Sequence, residues 1–353
     1  MKGKAIKRHF EKKLFVSNLL KWYLQKKRDL PWRKEIDPYK IWVSEIILQQ
    51  TRVEQGQPYY LRIIKKFPDI KSLANATQDE VLKMWEGLGY YRRALNMHEA
   101  ANQIVARFKG VFPSDFEQIL TLKGVGEYTA AAISSIAFNR PFAVVDGNVI
   151  RVITRLFCMK GDVLKLSEKN KIKKIANDLI DPSNPGDFNQ AMMELGATVC
   201  LPGNPKCQEC PVHQFCLAKK RNVSNQLPIK KSKVKTKERY LLYRAIQKNQ
   251  KIFMVKRQNE DIWKGLYELP SIEFEDIKAF NAHLEKLKSE GCTVFGPMKH
   301  VLSHRVIFAG ITIEKFHKDN PMNGAFLVEL TNLSKYPKPV LVSKLLHLLY
   351  EDK

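Results

Sequence analysis

Four of the six cysteines fall in one short stretch, spaced Cys200-x6-Cys207-x2-Cys210-x5-Cys216, with Pro202, Pro205 and Pro211 among them. A loop this short and this rich in proline has little regular structure open to it. Four thiolates within it can surround one metal centre, and chance clustering of free thiols would rarely produce such spacing. Zinc and a [4Fe-4S] cluster are both chemically open to four cysteines. A disulfide framework is the poorer reading in a basic chain with no secretory features. Cys158 and Cys292 stand apart and read as small core hydrophobes.

Lys and Arg number 60 against 36 Asp and Glu, a formal charge of +24. A charge this large points to a polyanionic partner, most plausibly nucleic acid. No apolar run reaches the roughly 18 residues of a membrane span. Met1–Phe15 is basic and lacks the apolar core of a secretory signal, so a cytoplasmic, nucleoid-associated protein is expected. The length of 353 residues suggests two domains.

From residue 14 to about 200 the chain reads as short helices joined by short turns, an all-helical domain. Residues 14–28 form an amphipathic stretch that Leu30–Pro31–Trp32–Arg33 breaks. The next helix, Ile41 to Thr51, is mostly apolar and includes Glu45. A carboxylate in such a run rarely goes without a partner or a task, so Glu45 is a functional candidate rather than a surface residue. Thr77–Glu80 and Ser114–Glu117 have the form of capping boxes.

Two glycine-rich turns follow. Gly87–Leu88–Gly89–Tyr90–Tyr91–Arg92–Arg93 could push an apolar or aromatic wedge into a base stack while arginine holds phosphate. In Leu122–Lys123–Gly124–Val125–Gly126–Glu127–Tyr128, Gly124 and Gly126 are expected to allow positive φ and close backbone approach. The helix start beyond them would suit a phosphate. Taken alone, either turn is more often a plain helix junction. The basic charge and the cysteine cluster favour the DNA-facing reading. Val144–Val145–Asp146–Gly147–Asn148 then ends an apolar run in a carboxylate, Asp146, at a helix start. An N-cap is the simplest role for it.

A polar, basic stretch at 219–237 reads as a linker. Beyond it strand patterns at 240–246, 251–256, 293–295, 306–316 and 325–330 alternate with helical ones at 274–289 and 340–350, an α+β domain.

These features together resemble the helix-hairpin-helix DNA glycosylases that carry an iron–sulfur cluster, and within them the adenine-removing branch. The resemblance rests on the cysteine spacing, Leu30–Pro31–Trp32–Arg33, Trp42–Val43–Ser44–Glu45 through Gln49–Gln50–Thr51, Gly87–Leu88–Gly89–Tyr90–Tyr91 and Val145–Asp146–Gly147–Asn148. It implies a [4Fe-4S] cluster on Cys200, Cys207, Cys210 and Cys216 rather than zinc. It also implies a multidomain chain. A helical catalytic domain spans 1–218, with a hairpin module at about 30–140 and a cluster module made of 1–29 and 141–218. A linker at 219–237 and a Nudix-like reader at 238–353 follow.

The activity implied is base excision repair. A monomer binds duplex DNA containing adenine opposite 8-oxoguanine or guanine, flips the adenine out and removes it by hydrolysis. Flipping is needed because a stacked purine cannot be reached. Two carboxylates in different surroundings can divide the chemistry. Glu45, with a raised pKa, would protonate adenine N7, and Asp146, staying ionised, would stabilise the sugar cation. By resemblance Tyr128 and Asn148 assist these two, while Trp32, Arg33 and Gln190 surround the adenine. Gln50, Thr51, Leu88 and Tyr90 meet the DNA stack, and Lys123, Gly124, Val125 and Gly126 the phosphates. The related lyase-type enzymes place a lysine where this chain has Tyr128, so a monofunctional glycosylase is implied. In the reader, Leu302, Ser303 and His304 match the hairpin that meets 8-oxoguanine, with Leu302 replacing an aromatic residue. No Arg-Glu-x-x-Glu-Glu pattern follows Pro270, so nucleotide hydrolysis is not expected. The rivals are a pyrimidine-lesion glycosylase with lyase activity and a non-catalytic iron–sulfur DNA-binding protein.

Overall fold

The structure, a computed structural model, describes residues 11–231, 236–258, 261–317 and 324–350. Met1–Phe10, the larger part of the Met1–Phe15 stretch read as lacking a secretory signal, lies outside them. The chain divides into two compact units: Met1–Ala74 with Glu99–Ser232, and Asn75–His98 with Lys233–Lys353.

The first unit is helical. Its helices are α1 Lys12–Lys26, α2 Pro38–Leu48, α3 Val53–Lys66 and α4 Ile70–Ala74. Two helices of the second unit, α5 Gln78–Trp85 and the start of α6 Arg92–Phe108, come next in the chain. The first unit resumes with α7 Phe116–Leu120, α8 Glu127–Phe138, α9 Gly147–Leu156, α10 Leu166–Leu179, α11 Pro185–Thr198 and α12 Leu217–Lys220. Phe15, Leu19, Val152, Ile153, Ile172, Phe188 and Met192 bring α1, α9, α10 and α11 onto one core, and Cys200, Cys210 and Cys216 pack at its edge. Burying side chains of this size contributes about 1.5–3 kcal/mol each.

Helix starts follow local chemistry. Asp37 caps α2 by accepting from Tyr39 N and Lys40 N, with Pro38 fixing the first turn. Thr77 and Glu80 form the expected capping box on α5. The box expected at Ser114–Glu117 does not form. Asp115, one residue later, is the N-cap of α7 and accepts from Gln118 N. A carboxylate and a hydroxyl stood side by side, and the carboxylate took the position.

Much of the basic stretch at 219–237 is folded chain rather than free linker. Val163 N donates to Ile229 O at 3.0 Å. Leu227 is buried with Cys158 and Ala218. Residues 232–235 of that stretch lie outside the described ones.

In the second unit seven strands among the described residues form one sheet: β1 Lys237–Lys248, β2 Lys251–Lys256, β3 Tyr267–Glu268, β4 Ser271–Phe274, β5 Val294–Val301, β6 Arg305–Lys315 and β7 Ala325–Glu329. The path runs β3-β2-β1-β6-β5, with β4 on β1 and β7 on β2. Strands β1 and β6 are parallel, whereas β5 and β6 are an antiparallel hairpin. Helix α14, Val340–Tyr350, covers one face with Leu341, Leu345 and Leu349. Helix α13, Ile277–Ser289, packs Phe280 and Leu284 against Tyr240 and Leu242. The expected helix over 274–289 is therefore shorter, because Phe274 belongs to β4. An all-helical unit joined to an α+β one is the architecture anticipated.

Candidate active site and iron–sulfur loop

Helix α2 is mostly apolar and buried from Ile41 to Ile47. Glu45 is carried in with it and is 6% exposed. Its carboxylate meets Tyr128, in the first turn of α8, whose hydroxyl donates to Glu45 Oε2 at 2.5 Å. Gln49 Nε2 donates to Thr129 Oγ1 at 3.2 Å and ties the end of α2 to the same turn. Burial pushes the Glu45 carboxyl up to about 7; the Tyr128 hydrogen bond and Arg33 pull it down, and Asp146 pushes it further up. This buried group is thus far more readily protonated near neutral pH than an ordinary carboxylate.

Asp146 is the N-cap of α9. Its Oδ1 accepts from Val149 N at 2.7 Å and its Oδ2 from Asn148 Nδ2 at 2.8 Å. Burial raises the Asp146 pKa, while Val149 N, Asn148 and Arg151 favour its ionised form. Burial outweighs the donors at the helix start, so the net shift is upward. Gly196 of α11 allows the close fit here: a Cβ on it would sit 2.5 Å from Asn148 Cβ. The chain entering Asp146 is pinned by buried Asn189, which accepts from Val144 N and donates to Ser135 Oγ and Phe142 O.

Glu45, Tyr128, Asp146 and Asn148 line one cavity of about 160 Å³, together with Trp32, Arg33, Ser44, Thr51, Gln190, Met193 and Glu194. That is well below the roughly 300–1,000 Å³ of drug-sized ligand sites, and suits one planar base. A buried acid, a second carboxylate fixed by donors and a small cavity between them can protonate a leaving group and stabilise a cation.

The cysteine loop follows α11. Arg155 of α9, 1% exposed, threads into it. Its guanidinium donates to Leu201 O (2.7 Å), Pro202 O (2.8 Å) and Leu227 O (3.1 Å), and approaches Cys200 Sγ at 3.2 Å. Arg151 donates to Cys200 O, Gly196 O and Asn148 Oδ1. Burial pushes the Cys210 thiol up to about 12, and Cys200, Cys216 and Cys207 add to the rise. Such a group would stay protonated unless a cationic centre took up its charge. Among the described residues no three His, Cys, Asp or Glu side chains converge as a single ion needs. Four thiolates in one loop suit either one zinc or a cluster of several irons.

Residues 43–182 match the family of HhH-GPD superfamily base excision DNA repair proteins, 200–216 the iron-sulfur binding domain of endonuclease III, and 242–348 the NUDIX domain. An adenine DNA glycosylase of Buchnera aphidicola (subsp. Baizongia pistaciae) is 35% identical over 347 residues, covering 94% of this chain and 96% of that one. The chain belongs to the adenine DNA glycosylase family. The Arabidopsis thaliana adenine DNA glycosylase is 37% identical over 346 residues, 81% of this chain and 54% of that one, so the chain spans about half of that relative's length. Among solved structures, a thermostable thymine-DNA glycosylase matches with TM-score 0.55 and 31% identity, over 60% of this chain and 97% of that one. An endonuclease III–DNA complex, at 20% identity and TM-score 0.51, shares the fold. Residues 200–216 are an iron–sulfur binding segment, consistent in this family with a [4Fe-4S] cluster.

For this member of the adenine DNA glycosylase family, several residues that sequence reasoning passed over belong to the cavity. Glu194 is buried and accepts from Arg28 Nε at 2.8 Å and Arg33 Nη2 at 2.9 Å. Burial works against its charge, but the two guanidiniums hold its pKa below the usual carboxylate value. Arg33 is thus oriented at the cavity wall by Glu194. The signal was present, since Met192–Met193–Glu194–Leu195 repeats the apolar setting of Glu45.

The expected DNA-facing residues divide. Gln50, just past α2, is exposed with φ +57°. Tyr90 is 44% exposed with φ +48°, whereas Leu88 is 5% exposed. The wedge candidate of that turn is therefore Tyr90 rather than the buried Leu88. Lys123, Gly124 and Gly126 are exposed, and Val125 is buried beneath them. Gly124 takes φ +74°, but Gly126 does not share it: its φ is −100°, and it serves as the N-cap of α8 with open space where a Cβ would stand. In the β5–β6 hairpin Ser303 and His304 are exposed, with Ser303 Oγ 3.1 Å from His304 Nδ1. Leu302 packs against the sheet core, and the apolar side chain left in solvent is Val301, 65% exposed.

Proposed function

We propose that this protein is a monofunctional DNA glycosylase that flips adenine out of a duplex, opposite 8-oxoguanine or guanine, and removes it by hydrolysis. The observation that carries this is the cavity shared by Glu45–Tyr128 and Asp146–Asn148. Neutral Glu45 donates its proton to adenine N7. The C1′–N9 bond breaks, its electron pair leaves with the base, and Asp146 stabilises the cationic sugar. Water adds to C1′, and its proton returns to a carboxylate. Tyr128 offers no amine for a Schiff base, which argues against the lyase reading. Trp32, Arg33 and Gln190 hold the base.

The four cysteines would hold the cluster, whose iron–thiolate bonds supply a staple for the loop beyond α11. Gln50 and Tyr90 enter the stack opened by flipping, and the exposed turn at Lys123–Gly126 meets phosphate. The two carboxylates and the cysteines lie within 1–218 and the reading hairpin within 238–353, where Ser303 and His304 distinguish the opposite base, while Asn75–His98 groups with the latter. The protein acts as a monomer on duplex DNA. No helix among the described residues is long and apolar enough to cross a membrane. The test is a panel of duplexes with adenine opposite 8-oxoguanine, guanine, thymine or cytosine, plus one with an oxidised pyrimidine. Free adenine from the first two supports the reading; release only of the pyrimidine would overturn it.

A further inference from the structure

The segment Asn75–His98 groups with the C-terminal residues, and the contacts are specific. Asp79 of α5 accepts from Lys256 Nζ at 2.7 Å and from the Tyr267 hydroxyl at 2.6 Å. A Cβ on Gly265, itself at φ +82°, would stand 3.1 Å from Leu82 Cδ1. Glu86 Oε1 accepts from Lys338 N at 3.0 Å. The Tyr91 hydroxyl accepts from Gly87 N at 3.1 Å and donates to Lys338 O at 3.4 Å. Lys338 is itself buried, and its ammonium donates to Leu333 O and Tyr336 O, which fixes the strap that carries it.

Between Glu86 and Tyr91 lies the turn that presents Tyr90. Its Gly89 O accepts from Trp85 Nε1 at 3.0 Å and Arg93 Nη2 at 3.2 Å, and the Arg93 guanidinium lies 5.6 Å from the Tyr90 ring centre. A bulky residue held at positive φ on an exposed turn needs its surroundings to fix it there. Those surroundings include the Lys338 strap, reached through Glu86 and Tyr91.

We propose that Tyr91 and Glu86 are positioning residues that lock the Gly87–Tyr90 turn onto the Lys338 strap, so that the fold carrying Ser303 and His304 also sets the aromatic wedge. This rests on the reading of Tyr90 as a residue that enters the DNA stack. It means that wedge placement and opposite-base reading share one support.

The test uses the full chain in a Glu45→Gln background, on a duplex with 2-aminopurine beside the mispair. Binding should raise the probe's fluorescence, and Tyr90→Ala should abolish the rise. Tyr91→Phe should lower the rise, and with Glu45 restored it should slow single-turnover adenine excision about fivefold, the size expected for one lost hydrogen bond. Glu86→Ala should do the same through the other contact. Added to Tyr90→Ala, neither substitution should cause further loss, because both act through Tyr90. An unchanged fluorescence rise in Tyr91→Phe, or losses that multiply with Tyr90→Ala, would overturn the proposal; a lower melting temperature with the rise intact would mark a merely structural role. The fluorescence is read on uncleaved DNA. A wild type that releases no adenine would therefore sink the glycosylase reading separately.

Discussion

The Tyr128 hydroxyl donates to Glu45 Oε2 at 2.5 Å, across the cavity wall between α8 and α2. This bond opposes the burial that raises the Glu45 pKa to about 7. The working form of an acid is the protonated one, so the excision rate should fall as pH rises through about 7, and fall again in acid where Asp146, its pKa raised by burial, takes up a proton. Tyr128→Phe removes a group that lowers the pKa. The descending limb of its single-turnover pH profile should move to higher pH, and a shift to lower pH would contradict the assignment.

The two carboxylates should respond differently to amide substitution. Glu45→Gln should bind the mispaired duplex but lose excision, since an amide cannot protonate N7. It should also stabilise the fold. The folded pKa of Glu45 exceeds its unfolded value, so the folded state binds the extra proton, and stability falls as pH rises from about 4.5 to about 7. The melting-temperature advantage of Glu45→Gln should grow over that window and level off above it. Asp146→Asn keeps a good N-cap for α9 while removing the charge, so it should fold like the wild type and lose excision. Asp146→Ala should lose about 1 kcal/mol of stability as well. Wild-type rates in either amide variant would remove that residue from the chemistry.

The cysteine loop predicts a brown protein that contains iron and little zinc. Arg155→Met should lower the iron content and the melting temperature together, because it leaves the carbonyls of Leu201, Pro202 and Leu227 without their buried donor. Iron analysis and thermal melts check this; full iron loading in Arg155→Met would contradict it.

Much of this was legible in the sequence, for identifiable reasons. Glu45 stood out because a carboxylate in an apolar helix breaks the pattern around it, and Asp146 because it precedes a helical periodicity. Glu194 sends the same signal as Glu45, but its partners Arg28 and Arg33 lie far off in the chain, and no local pattern encodes such pairing. Val301 and Leu302 show the limit for strands. Adjacent residues point to opposite faces, so the hairpin's phase decides which apolar side chain reaches solvent. Both are aliphatic, and composition does not choose between them. Gly126 looked equivalent to Gly124, yet φ depends on where α8 starts rather than on the residue.

Opposite-base reading is testable without cutting the chain, which would strip Asn75–His98 of its C-terminal partners. Ser303→Ala with His304→Ala removes two exposed polar groups from the β5–β6 turn. The double variant should lose much of any preference for adenine opposite 8-oxoguanine over guanine, on the order of 25-fold for two hydrogen bonds at about fivefold each. A domain that only added positive charge would weaken both substrates equally and follow salt. Rates on both mispairs at matched salt separate these.

The central claim is hydrolytic removal of adenine by a site with no amine nucleophile at position 128. The direct measurement is a strand-break assay on duplex with one adenine opposite 8-oxoguanine, run with and without alkali and with borohydride present. An intact strand that breaks at the adenine only after alkali, with little trapped protein–DNA adduct, is the predicted result. Tyr128→Lys should begin to trap. Prompt cleavage by the wild type with a strong borohydride adduct, or no alkali-sensitive site at all, would contradict the account.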